Sequence, residues 1–161
     1  MKDKFRKILD VSFNFENRPG PVPGEMRPHW KMATLLLLLN YSRGKKASLR
    51  KLHVLDWIMR NSESREKYLK YVKGELLRTS IIIRIDPGLN YTLDLIRAEG
   101  LIKLVEGKTV VMTKNGEEFV KEIEKDENLL IDEKKFVFAI KSNIQESRIE
   151  ELLDWRGELQ C

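Results

Sequence analysis

The sequence is poor in the residues from which disulfides, metal sites and most catalytic centres are built. It contains one cysteine, Cys161, so no disulfide can form within the chain, and two histidines, His29 and His53. Neither histidine has a histidine or cysteine at the spacing of a metal site, and both are predicted to be structural. No glycine-rich loop follows a predicted strand, which argues against a nucleotide-binding loop. These absences predict a protein that is not an enzyme and binds no cofactor.

Long apolar runs are also missing. The longest extends from Met32 to Leu39 and is interrupted by Thr34, whereas a helix that crosses a bilayer needs roughly 20 apolar residues. The charged residues directly after Met1 are not followed by an apolar stretch, so no signal peptide is predicted. With a single cysteine, this pattern predicts a cytoplasmic protein.

Charge is unevenly distributed, although the net charge is only +5. The stretch from Arg43 to Arg78 holds eleven basic and four acidic residues, a net charge of +7. From Glu117 to the end, thirteen acidic and seven basic residues give −6. A basic middle and an acidic tail predict two surfaces with different partners, and the basic excess favours a polyanion over ordinary solvated helix faces.

Proline is concentrated near the beginning of the chain. Four of the five prolines lie between Pro19 and Pro28. Proline fixes φ and lacks a donor N–H, so residues 1–27 are predicted to form an extended, proline-rich arm. Large apolar residues in such an arm are seldom left in water, and we expect them to pack on the domain or on a partner.

Beyond the arm, the apolar pattern predicts alternating helices and short strands. Pro28 suits the first turn of a helix that is apolar all round and therefore buried, and the glycines at 44 and 100 are expected to end helices. The predicted elements are a helix from Pro28, a Ser48-capped helix Leu49–Arg60, a Ser64-capped helix 65–78, a buried strand Ser80–Ile85, a helix capped by Asp86, hairpin strands Leu101–Leu104 and Thr109–Met112, and a Thr113-capped helix.

This order is typical of a winged helix-turn-helix fold, mainly α with a small β wing. Residues 28–126 are predicted to form that domain, residues 61–85 being an insert between its second and third helices, and Gly100 is predicted to be the pivot between helix and wing. Residues 127–161 are predicted to form an acidic, C-terminal helical extension. In it, Phe136–Ile140 is compatible with either a strand or a helix, and an amphipathic helix containing Ile149 follows.

A non-catalytic protein of this kind would act through its surfaces. The helix before the wing offers few donors for reading bases, so phosphate contacts independent of DNA sequence are expected. An acidic protein partner would suit the same patch, and the two alternatives stay open. The candidate contacts to nucleic acid or an acidic partner are Arg43, Lys45, Lys46, Arg50, Lys51, Lys67, Lys70, Lys73, Asn90, Arg97, Lys103 and Lys108. The candidate protein-interface residues are Phe5, Phe13, Phe15, Pro21, Phe136, Phe138 and Trp155.

A metal-dependent nuclease is a further alternative. Such enzymes often place an aspartate ahead of a Glu-x-Lys sequence on a hairpin, and Glu106-Gly107-Lys108 follows Asp94 and Asp86. Gly107, however, places this tripeptide at the tip of the predicted turn. Metal ligands need a rigid mount, so the pattern does not favour a nuclease.

Three stretches carry a resemblance to a known family. The residues from Ser42 to Trp57 (SRGKKASLRKLHVLDW), from Ile83 to Asn90 (IRIDPGLN) and from Ala98 to Ile102 (AEGLI) resemble the small middle components of three-component ABC-ATPase anti-phage defence systems, which are related to Lamassu. The resemblance covers roughly residues 28–125. It implies a winged-helix accessory subunit that docks an SMC-like, Rad50-like ATPase and a nuclease-type effector, and no catalytic residues carry over from the family. Double-stranded DNA stays one of the two alternative partners of the basic patch. The alternative is a free-standing winged-helix transcription regulator.

Overall fold

The computed structural model describes residues 27–153, which form helices around a small antiparallel sheet. The helices are α1 Pro28–Tyr41, α2 Leu49–Met59, α3 Ser62–Val72, α4 Gly88–Ala98, α5 Lys114–Lys125, α6 Ile131–Ile140 and α7 Glu146–Glu151, and the strands are β1 Lys46–Ser48, β2 Ile102–Val105 and β3 Thr109–Met112. None of the helices between residues 27 and 153 is long and apolar enough to span a bilayer. The predicted arm, except its last residue, and five candidate interface residues lie outside this range: Phe5, Phe13, Phe15, Pro21 and Trp155.

Helix α1 is the centre of the core. Pro28 occupies its first turn, and nine consecutive residues, Lys31 to Leu39, are buried. It packs against α2, α4, α5, α6 and the sheet. A helix enclosed on all sides has no polar face, which explains its uniformly apolar sequence and confirms the prediction of a buried helix from Pro28.

The sheet has the strand order β1-β3-β2, and neighbouring strands are antiparallel. Ala47 pairs with Val110 on the face that meets the core, and both side chains are buried. Strands β2 and β3 form the predicted hairpin, whose turn places Glu106 at φ 53° and Gly107 at φ 66°. Strand β1 was not expected, because a three-residue strand with one buried residue has no recognisable pattern in the sequence.

Two of the predicted helix caps are present. The Ser48 side chain accepts from the Lys51 backbone N–H at 3.1 Å at the start of α2, and Thr113 accepts from the Gly116 N–H at 3.2 Å at the start of α5. Helix α4 begins at Gly88, one residue later than predicted, although the Asp86 carboxylate does accept from the Gly88 N–H at 2.9 Å. These bonds satisfy N–H groups that lack a partner within the helix.

The insert differs from its prediction in two respects. Helix α3 spans Ser62–Val72 rather than 65–78, and it is capped by Asn61, which accepts from the Ser64 N–H at 2.8 Å. The predicted strand Ser80–Ile85 is wrong: a 3₁₀ turn at Arg78–Ser80 leads into extended chain that pairs with no described strand. β-Branched residues fit the surface of a sheet, but no described strand lies beside this segment, and Ile82 is 75% exposed.

The acidic C-terminal segment packs against the first two helices. Helix α6 contacts α1 and helix α7 contacts α2, and Ile140, Ile144 and Ile149 are buried in the same apolar cluster as the leucines of α1. Phe136–Ile140 is therefore helical, which resolves the alternative left open by the sequence. This packing brings the connection between α6 and α7 next to β1 and the start of α2.

A buried ion cluster joins α1, α2 and the chain that leads into α4. The ammonium of Lys31 lies 3.3 Å from Asp56 Oδ1 and also pairs with Asp86. Asp56 Oδ2 lies 3.2 Å from a guanidinium nitrogen of Arg60, which also donates to the Arg84 carbonyl at 3.1 Å. Each charge of the Lys31–Asp56 pair is thus compensated, as burial requires.

Candidate nucleic-acid interface

A groove of about 1010 Å³ opens between β1, the first turn of α2 and residues 141–147. We call it the basic groove and define it by the lining residues Arg43, Lys46, Ser48, Lys51, Lys141 and Glu146. It exists because α7 packs on α2, which holds residues 141–147 opposite the strand that follows α1. One charged side of the groove therefore comes from the basic stretch Arg43–Arg78, and the other comes from the acidic stretch that begins at Glu117.

Three cations stand at the rim of the basic groove. Arg43, Lys46 and Lys141 are exposed, and none of them pairs with a carboxylate of residues 27–153. The Lys141 ammonium lies 3.6 Å from the centre of the Phe138 ring, a cation–π contact that leaves its charge uncompensated. Unpaired cations around a groove attract anions and give binding that weakens with salt.

The outer face of the sheet extends this positive surface. Lys46 on β1 and Lys103 on β2 are both in register with Val111 on the central strand, and both are exposed. Residues that pair across antiparallel strands share a face, so the two lysines stand two strand spacings, about 10 Å, apart on that face. The hairpin turn reaches the start of α2, where the Lys108 carbonyl accepts from the Leu49 N–H at 3.2 Å. Lys108 itself is exposed.

Two lysines of the predicted contact set pair with carboxylates of the protein itself. The Lys45 ammonium lies 2.6 Å from Glu117 at the start of α5. Lys51, expected on the surface, is buried instead, with its ammonium 3.7 Å from Glu146 Oε2. Burial lowers the Lys51 pKa, and the nearby charge of Glu146 opposes this shift. Position in the sequence could not distinguish Lys51 from its exposed neighbour Arg50 because the two lie side by side in one helical turn.

The inserted helix α3 is less positive than its lysines suggested. Lys67 lies 2.6 Å from Glu63, and Lys70 lies 2.7 Å from Glu66, both pairs at i,i+4 spacing on the exposed side. Hydrogen bonds from these lysines lower the pKa values of both glutamates, which are thus fully ionised near neutrality. Of the three candidate lysines on this segment, only Lys73 has no carboxylate partner among the described residues.

Helix α4, which precedes the hairpin, carries little positive charge. Asn90 and Arg97 are exposed there as expected, but Asp94 is exposed on the same helix and Glu99 directly follows it. A helix that reads bases in the major groove needs several donors on one face. The exposed residues of α4 do not provide that set of donors.

The residues of the nuclease alternative do not form a metal site. Asp94 lies on α4, while Glu106 lies in the hairpin turn at a positive φ. Between residues 27 and 153, no group of three or more histidine, cysteine, aspartate or glutamate side chains is placed to hold a metal ion. His53 lies half-buried on α2, and its Nδ1 has no hydrogen-bond partner in the described part of the chain.

The two candidate interface residues on α6 have opposite environments. Phe136 is buried in the core and is therefore not available to a partner, whereas Phe138 is 61% exposed. Residues on one helix that are two positions apart face different directions, so the packing of α6 on α1 buries Phe136 and leaves Phe138 outside. The interface prediction is corrected for Phe136 and remains for Phe138.

The side of the groove formed by residues 141–147 was not predicted from the sequence. Lys141, Gln145 and Glu146 line it, yet they lie in the segment whose net charge is −6. Charge summed along a sequence cannot reveal a cation that folding places beside a distant basic segment. The polar residues Ser142, Asn143 and Gln145 after Lys141 are a local indication of a loop here.

Comparisons of the chain with models of known protein families, with curated proteins and with solved structures find no match. The resemblance to middle components of anti-phage ATPase systems, carried by residues 42–57, 83–90 and 98–102, therefore stays a prediction.

Proposed function

We propose that this chain is a non-catalytic winged-helix protein that holds duplex DNA by its backbone as an accessory subunit of a larger complex. The fold part of this proposal is supported by the order α1, β1, α2, α4, β2, β3 and α5, in which α3 is an insertion. The pairing of β1 with the hairpin strand β3 extends the two-stranded wing to a sheet of three strands.

The observation that carries the DNA proposal is the group of unpaired cations on one continuous surface. Arg43, Lys46 and Lys141 surround the basic groove, and Lys103 extends the surface across the sheet. Contacts from such residues to phosphates give affinity without sequence preference. The mixed charges of α4 favour backbone contact over the sequence-specific binding of a transcription regulator.

The subunit part of the proposal has two supports. The sequence resemblance implies a place in an anti-phage defence complex, beside an SMC-like ATPase and a nuclease-type effector. The fold also leaves large apolar side chains exposed, as surfaces that meet other proteins do. Those on the insert and α4 are Leu77, Ile82, Ile85 and Tyr91.

The DNA proposal is tested by removing the same number of cations from two surfaces. The triple variant R43Q/K46Q/K103Q is compared with K67Q/K70Q/K73Q, which makes the same change in net charge on α3. Fluorescence anisotropy with two unrelated duplexes is measured over a range of salt concentrations. We expect both duplexes to bind the wild-type chain equally. The first triple should reduce the slope of log K against log salt by roughly 2 to 3, and the second should reduce it by much less.

Two results would contradict the proposal. One is a wild-type chain that retains neither duplex at low salt, and the other is an equal loss of slope in both triples. The subunit role is tested by purifying the full chain from its native host and identifying the proteins that accompany it. An SMC-like ATPase is expected among them, whereas a free dimer that protects a single operator would indicate a transcription regulator.

A further inference from the structure

One carboxylate lies inside the basic groove. Glu146 is the only acidic residue among the described residues that line it. Its Oε1 accepts from the Ser48 backbone N–H at 3.3 Å, and its Oε2 lies 3.7 Å from the Lys51 ammonium. The carboxylate thus lies at the N-terminal end of α2, where the helix dipole favours negative charge.

The buried cation beneath this carboxylate indicates that the position requires an anion. The Lys51 side chain is only 2% exposed, yet it lines the floor of the groove. A buried ammonium without a counter-charge is strongly unfavourable. The separation of 3.7 Å from Glu146 is longer than a direct charge-assisted hydrogen bond, which measures about 2.7 to 2.9 Å. Glu146 therefore compensates Lys51 without satisfying it fully.

The side chain of Glu146 is free to move while its helix stays in place. It is 41% exposed, whereas Ile144 and Ile149 on either side of it are fully buried and anchor this segment in the core. Rotation about the side-chain bonds of Glu146 would expose the Ser48 N–H and Lys51 without unpacking α7. Arg43, Lys46 and Lys141 would then surround an open, positive position.

We propose that this position binds one phosphate group of the DNA backbone, and that the Glu146 carboxylate is an internal substitute that the phosphate displaces. The inference depends on the proposed DNA binding and adds to it a defined contact and a built-in competitor. A phosphate diester offers two acceptor oxygens, one for the Ser48 N–H and one for Lys51. Glu146 consequently limits affinity and favours ligands with several phosphates, which the rim cations can hold at the same time.

The variant E146Q tests the competition. Glutamine keeps an acceptor oxygen for the Ser48 N–H but loses the charge, so we expect duplex DNA to bind roughly two- to fivefold more tightly, the range of a partly exposed charge interaction. The control is E150Q, which makes the same charge change on α7 outside the groove. Its effect should stay below about twofold because Glu150 does not line the groove and contacts neither Ser48 nor Lys51 there.

A second measurement uses the wild-type chain, so the test does not depend on the folding of a variant. The amide resonance of Ser48 is followed by NMR during titration with a short duplex and, separately, with inorganic phosphate. The Ser64 amide, which is capped by Asn61, serves as the reference. We expect both additions to shift Ser48 selectively, the duplex at the lower concentration.

The outcomes separate this inference from the proposed function. If the duplex binds but the Ser48 amide does not move, or if E146Q and E150Q bind DNA equally, the displacement model is overturned and backbone binding by the rim cations stands. If the wild-type chain binds no duplex under any condition, both proposals are overturned.

Discussion

The ammonium of Lys31 and the carboxylate of Asp56 face each other at 3.3 Å in the interior of the protein. The two residues belong to α1 and α2, the helices at the centre of the core. Asp56 also holds Arg60 at the end of α2, and Lys31 also holds Asp86 ahead of α4. The pair therefore fixes three parts of the chain with respect to one another.

We expect the variant D56N to be severely destabilised. It removes the negative charge from a buried pair, so Lys31 keeps only Asp86 and Arg60 loses its carboxylate partner. Breaking a buried pair typically costs about 3 to 5 kcal/mol. The measurement is urea unfolding of the full chain followed by circular dichroism. The control E66Q breaks an exposed pair with Lys70 and should change the unfolding midpoint little. Similar midpoints for the two variants would show that Asp56 is solvated in solution.

Asp86 should contribute to the loss of stability in acid. Its pKa is lowered from the usual 3.8, first by a hydrogen bond from Lys31 and then by the Gly88 N–H. A carboxyl group whose pKa is lower in the folded chain stabilises the fold above its unfolded pKa, and this contribution disappears as pH falls through the folded pKa. We expect D86N to be less stable than the wild type at neutral pH.

The difference between D86N and the wild type should shrink below pH 3.8 and vanish where both side chains are neutral. Urea midpoints measured from neutral pH into this acidic range check it. A difference that stays constant at all pH values would mean that the charge of Asp86 plays no part.

Two glycine-to-alanine variants should lower the free energy of unfolding by different amounts and for different reasons. Gly100 lies at φ 70° with no atom within 4 Å of an added Cβ, so G100A should cost about 1 kcal/mol from the left-handed backbone alone. At Gly116 an added Cβ would lie 2.2 Å from the Leu101 carbonyl oxygen. That oxygen is held by the Thr113 N–H at 3.0 Å and cannot easily move.

We expect G116A to be the more damaging change, with a loss of about 3 kcal/mol. Alanine otherwise favours a helix over glycine by about 1 kcal/mol, so without the close contact G116A would stabilise α5. The sign of the change in the urea midpoint therefore decides whether α5 packs against the turn at Leu101 as described.

The two phenylalanines of α6 provide a matched pair. F136A empties a buried position and should cost about 3 kcal/mol, whereas F138A removes an exposed ring and should cost less than about 1 kcal/mol, most of it from the contact with Lys141. Thermal unfolding measures both. If Phe138 contacts a partner subunit, F138A should reduce co-purification while the chain stays folded. Equal destabilisation by the two variants would contradict the described orientation of α6.

The elements that the sequence predicted are those defined by local chemistry. Helix α1 follows from its apolar run Met32–Leu39, the starts of α2 and α5 from Ser48 and Thr113, and the hairpin from the glycine at position 107. Each depends on residues only a few positions apart. Local patterns of this kind specify an element wherever the rest of the chain lies.

The errors concern elements that depend on distant residues. The run Ile81–Ile85 has strong β propensity but no described strand beside it, and β1 exists only because β3 lies next to it. In the candidate site, too, local features were predicted and those that depend on distant residues were not. Sequence charge identified Arg43 and Lys46, but the burial of Lys51 and the presence of Lys141 and Glu146 depend on α7 reaching α2.

The complete enclosure of α1 has a consequence for the way the protein opens. Its nine buried residues contact four other helices and the sheet, so no partial opening that spares those neighbours can admit water to its backbone. The amide hydrogens of Leu35 to Leu39 should therefore exchange with deuterium only when the whole molecule unfolds. Their protection from exchange would report the global free energy of unfolding, and every less protected segment of the chain could be ranked against it.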